Sequence, residues 1–302
     1  MIDYIIAIDG GGTKTLGVLY DVNGNELKRI ALGFSNFSID EEKSKKTLKE
    51  LIKLLIKGYT YKKLYVQMGV AGATKLSNKQ AFIDEIETTF NAKANLVTDA
   101  LICIYAIEKE AHEPLIMAIG GTGSAVLTYI EDKIHVTGGW GHLLGDEGSA
   151  YHLVISAIKN IIYEYEHNIP YSYLSKHLMK TMKIEDVYGI IEYVYNRDKS
   201  ALAQLSLEVQ EASKYDAYAK ELLEKEGLYL ATQIINAYNR YVKDKDVVIS
   251  LRGSFSLKGL HVKESIITHL KNHIPKYRLD IDGHEPVYGA YVLAKINIER
   301  GV

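Results

Sequence analysis

The sequence predicts an α/β fold with a duplicated architecture of two domains. Strand and helix patterns alternate through the first third of the chain, as in sheets that are covered by helices. An apolar strand, a glycine turn and a second strand occur near the beginning and again about 110 residues later. The two copies share little sequence, so the repeat is one of architecture. The 302 residues are ample for two hydrophobic cores.

Composition and charge narrow the class of protein. A net charge of -2 gives no reason to expect nucleic acid or an anionic membrane as a partner. No apolar stretch reaches the roughly 18 residues of a membrane span, and no secretion signal precedes the first strand. Cys103 is the only cysteine, which excludes an intrachain disulfide or a cysteine-rich metal site. We expect a cytoplasmic protein.

The first glycine turn follows the apolar strand 4–8 and leads into a strand at 16–20. Glycines without Cβ let backbone N–H groups approach a ligand closely, and Asp9 stands where a carboxylate can hold Mg2+ directly or through water. The turn therefore predicts a phosphate-binding hairpin, although an ordinary glycine turn has the same pattern. The candidate phosphate contacts are Gly10, Gly11, Gly12, Thr13 and Lys14.

Further elements complete the first domain. Strands are predicted at 26–32, 64–70 and 94–97, with helices at 40–57, 79–90 and after 99. Asp99 lies at a strand end and a helix start. Its carboxylate suits two roles, a helix N-cap or the acceptor of a substrate hydroxyl proton during phosphoryl transfer.

The second half of the chain begins after a predicted linker at 110–114. A strand at 115–119, a glycine turn at 120–124 and a strand at 125–129 repeat the opening theme, so Thr122 and Gly123 are candidate contacts of the same polyphosphate. Residues 148–241 read as mainly helical, followed by strands at 247–251 and 277–281 and a last helix at 288–298.

The glycine-rich segment 138–150 contains the only tryptophan and two adjacent acids. Trp140 suits stacking on a sugar ring, and Asp146 suits hydrogen bonds to sugar hydroxyls. The alternative is a core tryptophan with Asp146 as a helix cap. Ser35 and Asn36, between a strand and a helix, are turn residues when taken alone.

These segments, in this order, resemble the N-acetylglucosamine kinase branch of the BadF/BadG/BcrA/BcrD ATPase family, within the actin, Hsp70 and sugar-kinase superfamily. The resemblance covers nearly the whole chain. It rests on DGGGTKT at 9–15, SN at 35–36, GVAGAT at 69–74, TDA at 98–100, GGTGS at 120–124, GWGHLLGDEGSAY at 139–151, RGS at 252–254 and EPVYGAYVLA at 285–294.

The resemblance implies two ribonuclease-H-like (actin-like ATPase) domains with a nucleotide cleft between them. The first domain would be 1–113 plus 288–302, and the second 114–287 with a helical insertion. Asp9 would serve Mg2+ through water, Asp99 would be the catalytic base, and Gly253 would lie near the adenine of ATP. Gly11, Gly12, Thr13, Thr122 and Gly123 would contact the phosphates, and Ser35, Asn36, Gly139, Trp140, Gly141 and Asp146 would face the sugar. Family members usually carry a smaller residue where this chain has Arg252.

The expected activity is therefore transfer of the γ-phosphate of ATP to a hydroxyl of N-acetylglucosamine or a related hexose or amino sugar, in a homodimer. A 2-keto-3-deoxygluconate kinase is an alternative, because some members of this kinase group act on that acid. An ATP-driven activator of a redox enzyme is a remote alternative. Such activators hold an iron–sulfur cluster with four cysteines, and a dimer of this chain would supply two.

Overall fold

Ten β-strands form two five-stranded sheets in the computed structural model, which describes residues 2–110 and 112–301. The strands are β1 (Tyr4–Gly10), β2 (Thr15–Asp21), β3 (Glu26–Leu32), β4 (Leu64–Val70), β5 (Ala92–Val97), β6 (Leu115–Gly120), β7 (Ser124–Ile130), β8 (Lys133–Gly138), β9 (Val247–Arg252) and β10 (Tyr277–Asp280). The helices are α1 (Glu41–Ile56), α2 (Lys79–Phe90), α3 (Asp99–Tyr105), α4 (Ala150–Glu166), α5 (Tyr173–Met182), α6 (Gly189–Tyr195), α7 (Lys199–Gln204), α8 (Ser206–Ala212), α9 (Ala217–Ala237), α10 (Ser254–Lys258), α11 (Val262–His273) and α12 (Pro286–Glu299).

Contacts divide the chain into two units. Unit 1 combines Met1–Glu108 with Asp282–Val302, and unit 2 is Lys109–Ile281. The domain boundaries expected from the sequence, 113/114 and 287/288, stay a prediction. Ala111, inside the predicted linker, lies outside the described residues.

The sheet of unit 1 has the strand order β3–β2–β1–β4–β5. The first three strands form an antiparallel meander, and β4 and β5 continue the sheet parallel to β1. Ile6 and Ile8 of β1 face the core under α1 and α2, whereas Ile5 and Ala7 face α3 and α12. Because helices cover both faces, residues 4–8 of β1 are an uninterrupted apolar run.

The sheet of unit 2 has the order β10–β9–β6–β7–β8. Here β6, β7 and β8 form the antiparallel meander, and β9 and β10 run parallel to β6. The connectivity is that of unit 1, and the helical stretch predicted at 148–241 is confirmed between β8 and β9. The predicted α/β class and the architectural duplication are thus confirmed.

Local signals set the helix ends. Asp40 caps α1, because its Oδ1 accepts a hydrogen bond of 2.9 Å from the Lys43 N–H. Glu41 and Glu42 follow in the first turn, where the helix dipole favours negative charge. The buried face of α1 repeats at helical spacing, as its sequence predicts. Its large apolar members are Leu48, Leu51, Ile52 and Leu55.

Helix α12 packs on α3 and on the middle of the unit 1 sheet. A Cβ atom built on Gly289 would meet the carbonyl oxygen of Ile102 and the backbone nitrogen of Ala106. A glycine is therefore needed for the close approach of α12 to α3. Through this contact the end of the chain supports the helix that begins at Asp99.

Among the described residues, no helix is both long enough and apolar enough to cross a membrane.

Candidate active site

The first glycine hairpin joins β1 to β2 in unit 1. The paired strands end at Gly10 and Thr15, and the Gly11 N–H donates to the Lys14 carbonyl over 3.1 Å. Gly12, Thr13 and Lys14 are exposed at the tip. The hairpin therefore presents backbone N–H groups and one cationic side chain to an approaching anion, as a phosphate site requires.

Ser35 supports this hairpin from below. Its N–H donates to the Gly11 carbonyl (3.1 Å), and its Oγ lies 2.9 Å from the Thr15 hydroxyl. Both side chains are fully buried, and Thr15 Oγ1 also donates to the Gly33 carbonyl over 2.7 Å. The structure therefore places Ser35, expected to face the sugar, where its hydroxyl fixes the hairpin.

Asn36 lies beside the same hairpin with its amide orientation fixed. Its Oδ1 accepts from the Ser38 N–H (2.8 Å), and its own N–H donates to Ser44 Oγ (2.9 Å). A Cβ built on Gly12 would lie 3.8 Å from Asn36 Nδ2. With its oxygen engaged, the side chain offers an N–H donor next to the glycine tip.

Asp9 and Asp99 lie at one edge of the unit 1 sheet, because β1 and β5 are both parallel to β4 and each aspartate stands at a carboxyl end. Burial raises the pKa of Asp9 to about 6, and the charge of Asp99 adds to this while Lys14 opposes it. Burial also raises the pKa of Asp99, against hydrogen bonding from the Ala100 backbone. The helix cap is Thr98, whose side chain accepts from the Leu101 N–H, so the N-cap alternative for Asp99 is wrong.

The second glycine hairpin joins β6 to β7 in unit 2. The paired strands end at Gly120 and Ser124, and the Gly121 N–H donates to the Gly123 carbonyl over 2.9 Å. Thr122 is exposed at the tip. This tighter turn repeats the geometry of the first hairpin on an equivalent strand pair.

The segment after β8 exposes its apolar side chains. Trp140 is 73% exposed, and Leu143 and Leu144 are 85% and 79% exposed. The core alternative for Trp140 is therefore wrong. Gly139 and Gly141 on either side have left-handed backbones, with φ of 73° and 81°, which shape the loop that carries the indole.

Asp146, in contrast, is buried to 4% exposure and lies against the second hairpin. Its Oδ1 accepts from the Ser124 N–H (3.3 Å), and its Oδ2 forms an ion pair of 2.5 Å with Lys199 Nζ at the start of α7. The alternative role of Asp146 as a helix cap is also wrong, since Ser149 caps α4 through the His152 N–H. Lys199 was missed by the sequence reasoning, because a lysine 53 residues away in a helical stretch carries no local signal.

The end of this segment braces the second hairpin. Ser124 Oγ donates to the Glu147 carbonyl (2.7 Å), and the Ala150 N–H donates to the Gly121 carbonyl (2.9 Å). A buried carboxylate from α9 anchors it further. Glu226, 1% exposed, accepts from the Gly148 N–H at 2.7 Å and lies 2.7 Å from His152 Nδ1.

A cavity of about 380 Å3 opens beside the second hairpin within unit 2. Gly121, Thr122 and Phe255 line it, together with residues of α7, α8 and α10. Gly253 lies at the base of the hairpin, since a Cβ there would meet the Gly120 carbonyl. Arg252 turns away to Asp280, with Nη2 2.6 Å from Oδ2.

Comparisons with known proteins agree with this architecture. The chain is 28% identical over 304 residues to an N-acetylmuramic acid/N-acetylglucosamine kinase of Clostridium acetobutylicum, which covers 97% of this chain and 98% of that protein. It is 25% identical over 315 residues to an N-acetyl-D-glucosamine kinase of Dictyostelium discoideum, with the same coverage. A structure of a candidate N-acetylglucosamine kinase from Chromobacterium violaceum is similar in fold, with a TM-score of 0.70 and 22% identity over 97% of this chain and 99% of that one.

The model of one protein family matches residues 6–294, which include both glycine hairpins, Asp99 and the segment around Trp140. The chain therefore belongs to the BadF/BadG/BcrA/BcrD ATPase family.

Proposed function

We propose that this chain is a cytoplasmic ATP-dependent sugar kinase that phosphorylates a hydroxyl of an N-acetylated amino sugar. One observation carries the proposal. An exposed glycine hairpin stands beside two half-buried carboxylates, Asp9 and Asp99, at one edge of the unit 1 sheet. Phosphoryl transfer needs N–H donors for phosphate oxygens, a carboxylate for the metal and a second one for the acceptor proton.

Each hairpin is suited to bind phosphate groups of ATP. Backbone N–H groups of Gly12 and Thr13 are suited to this in unit 1, and Lys14 adds positive charge. Thr122 and Gly123 have the same role in unit 2. In unit 1 the Gly11 N–H donates to the Lys14 carbonyl, so Gly11 joins Gly10 in shaping the turn. The cavity beside Thr122 is large enough for a nucleoside. Gly253, which precedes the lining residue Ser254, would lie near the adenine.

The residues of unit 1 fit a magnesium ion. Two carboxylates with raised pKa values lie near each other, and Lys14 is the one cation among the groups that shift the pKa of Asp9. A divalent cation would relieve this repulsion. Asp9 would hold it through water, and the bound ion would neutralise charge on the transferring phosphate.

Asp99 would act as the general base. Burial raises its pKa, which makes its carboxylate a better proton acceptor than that of an exposed aspartate. The acceptor hydroxyl would give its proton to Asp99 as its oxygen forms a bond to the γ-phosphorus and the bond from that phosphorus to the β-phosphate oxygen breaks. ADP and a sugar phosphate would leave.

On unit 1, Asn36 would offer its Nδ2 donor to the acceptor sugar. On unit 2, the loop of Gly139, Trp140 and Gly141 would offer it an indole. An exposed indole suits stacking on the apolar face of a pyranose ring. We assign Ser35 to support of the hairpin. Asp146 would reach the sugar only while remaining paired with Lys199, because its carboxylate is buried.

N-acetylglucosamine and N-acetylmuramic acid are the first acceptors to test. Both similar kinases are named for N-acetylglucosamine, and the Clostridium protein is also named for N-acetylmuramic acid. We propose a screen of ADP release with these sugars, glucose, N-acetylmannosamine and 2-keto-3-deoxygluconate. Activity on an N-acetylated sugar at least tenfold above the others supports the proposal. A preference for 2-keto-3-deoxygluconate would mean that the acceptor is a keto-deoxy acid and not an N-acetylated sugar. ATP hydrolysis at the same rate with every acceptor would contradict the proposed kinase activity. Phosphorus NMR of the product identifies the phosphorylated hydroxyl. The Asp99→Asn variant serves as the negative control.

We also propose that the protein is a homodimer through a tyrosine strip on unit 2. Tyr188, at the N-cap of α6, and Ile191 and Tyr195 within the helix recur at helical spacing and are 66%, 60% and 85% exposed. The ring of Tyr165 contacts that of Tyr188. At about 200 Å2 for each aromatic side chain, the strip exposes roughly 500 Å2 of mostly apolar surface, and exposed patches of this size often mark interaction sites. Sedimentation should give a dimer for the wild type and a monomer for Ile191→Asp. A wild-type monomer at micromolar concentration would contradict the proposal.

A further inference from the structure

A buried ion pair lies against the second glycine hairpin. The carboxylate of Asp146 is 4% exposed, and Lys199 Nζ lies 2.5 Å from its Oδ2 with its side chain 28% exposed. A Cβ built on Gly123 would be 2.5 Å from Lys199 Nζ and 3.0 Å from Asp146 Oδ2. Both charged groups therefore touch the backbone of the hairpin.

The carboxylate is held there by the fold. Its Oδ1 accepts from the Ser124 N–H, and its backbone has a left-handed φ of 68°, which is uncommon for a residue other than glycine. Lys199, the first residue of the short helix α7, forms the ion pair with the Asp146 carboxylate. Without Lys199, the hairpin would have an uncompensated buried negative charge directly behind it.

A phosphate group on the hairpin would then meet a like charge. Repulsion between two charges near a protein surface is substantial at separations of several ångströms, and burial of the carboxylate reduces screening by salt. The N–H groups of the hairpin attract an anion only if the carboxylate behind them is neutralised.

We propose that Lys199 is a positioning residue for phosphoryl transfer. By neutralising Asp146, it allows the second hairpin to accept the phosphates of the nucleotide. This inference rests on the proposed function, which assigns Thr122 and Gly123 to ATP.

Binding of magnesium AMPPNP, measured by calorimetry without sugar, tests the inference. Lys199→Met should weaken binding about 10- to 100-fold. Lys199→Arg, which keeps the charge, should stay within about threefold of wild type. The double variant Lys199→Met with Asp146→Asn should recover to within about threefold of Asp146→Asn alone, because the uncompensated charge is gone. In the kinase assay, Lys199→Met should raise KM for ATP far more than it lowers kcat.

Lys214→Met is the matched control, since Lys214 forms an exposed ion pair with Glu211 on α8 and should change nothing. Normal nucleotide binding by folded Lys199→Met would overturn the inference. A double variant as weak as Lys199→Met would also overturn it, because Lys199 would then act as a direct phosphate ligand. Failure of the wild-type chain to bind the nucleotide would contradict the proposed function itself.

Discussion

The hydroxyl of Thr98 accepts a hydrogen bond of 3.3 Å from the Leu101 N–H and so caps the helix whose first residue is Asp99. Capping stabilises a helix by about 1 kcal/mol, and here a residue other than the aspartate supplies it. The carboxylate of Asp99 is therefore not needed as the helix cap, and it lies at the sheet edge.

Asp99→Asn should therefore reduce kcat by about 10²–10⁴-fold with little loss of stability, since only the proton acceptor is removed. Steady-state kinetics on the best acceptor and thermal unfolding check both parts. Thr98→Ala is the comparison, because it should lower stability by about 1 kcal/mol. Near-normal turnover in Asp99→Asn would remove Asp99 from the base role.

The pair of carboxylates predicts an acid limb in the activity. The pKa of Asp9 is about 6 in the metal-free chain, and magnesium binding favours the ionised form. Activity should fall as the pH drops through about 6, and raising the magnesium concentration should move this limb to lower pH. If the pH at which activity falls does not depend on magnesium concentration, the fall would be assigned to protonation of Asp99 alone. The measurement is kcat/KM from pH 5 to 8 at two magnesium concentrations.

Two glycines of the first hairpin should respond differently to the same substitution. A side chain at Gly12 would meet ordinary contacts at 3.8 Å, whereas one at Gly10 would collide with Ser35 Oγ and approach Val70 Cγ1 to 3.2 Å. Gly12→Val should fold normally and weaken nucleotide binding more than sugar binding, because the branch occupies the phosphate face. Gly10→Val should lower the free energy of unfolding by roughly 1–3 kcal/mol. Calorimetry with each ligand and chemical denaturation separate the two effects, and equal loss of both ligands in Gly12→Val would indicate misfolding instead.

The single tryptophan provides an optical test of the acceptor loop. Trp140 is 73% exposed, so sugar stacking should shift its emission to shorter wavelength. Trp140→Ala should raise KM for the sugar several-fold and leave nucleotide affinity unchanged. No change in emission with a confirmed substrate, together with an unchanged KM, would exclude Trp140 from the site.

The contact between His152 and Glu226 predicts a pH-dependent stability. The hydrogen bond with Glu226 raises the pKa of His152 above its usual 6.5 against the opposing effect of burial. Protonated His152 therefore contributes its full stability to the folded state below the unfolded pKa of about 6.5. This stability is lost as the pH rises through the higher folded pKa of His152. Melting temperature should therefore fall more between pH 6 and 9 in the wild type than in His152→Gln. His273→Gln, at the exposed end of α11, should behave as the wild type does. An identical slope in His152→Gln would contradict the assignment.

Sequence reasoning could predict the features that rest on short-range patterns. The apolar runs, the glycine turns and Asp40 before α1 specify the strand pairs and the helix start locally, so the duplicated sheets were predictable. The burial of a particular side chain could not be predicted in this way, because it depends on residues far away in the sequence. Ser35 and Asn36 are adjacent, yet only the former is fully buried.

The surroundings of Asp146 show the same limit. Nothing local distinguishes an aspartate facing a ligand from one that is buried, and its partner Lys199 lies in a separate helix. The sequence likewise did not decide whether Trp140 is buried or exposed, because this depends on the backbone around it.

The discontinuity of unit 1 has a consequence for its synthesis. Its last helix, α12, is translated only after all of Lys109–Ile281, which takes on the order of ten seconds or longer at usual elongation rates. During that interval Ile5, Ala7 and Tyr65 lack the helix that covers them in the finished chain. Unit 2 has all of its elements available first, so one apolar face of the unit 1 sheet is still uncovered when the whole of unit 2 has been synthesised. When the protein is overexpressed without added chaperones, we therefore expect nascent chains to aggregate before α12 has been synthesised.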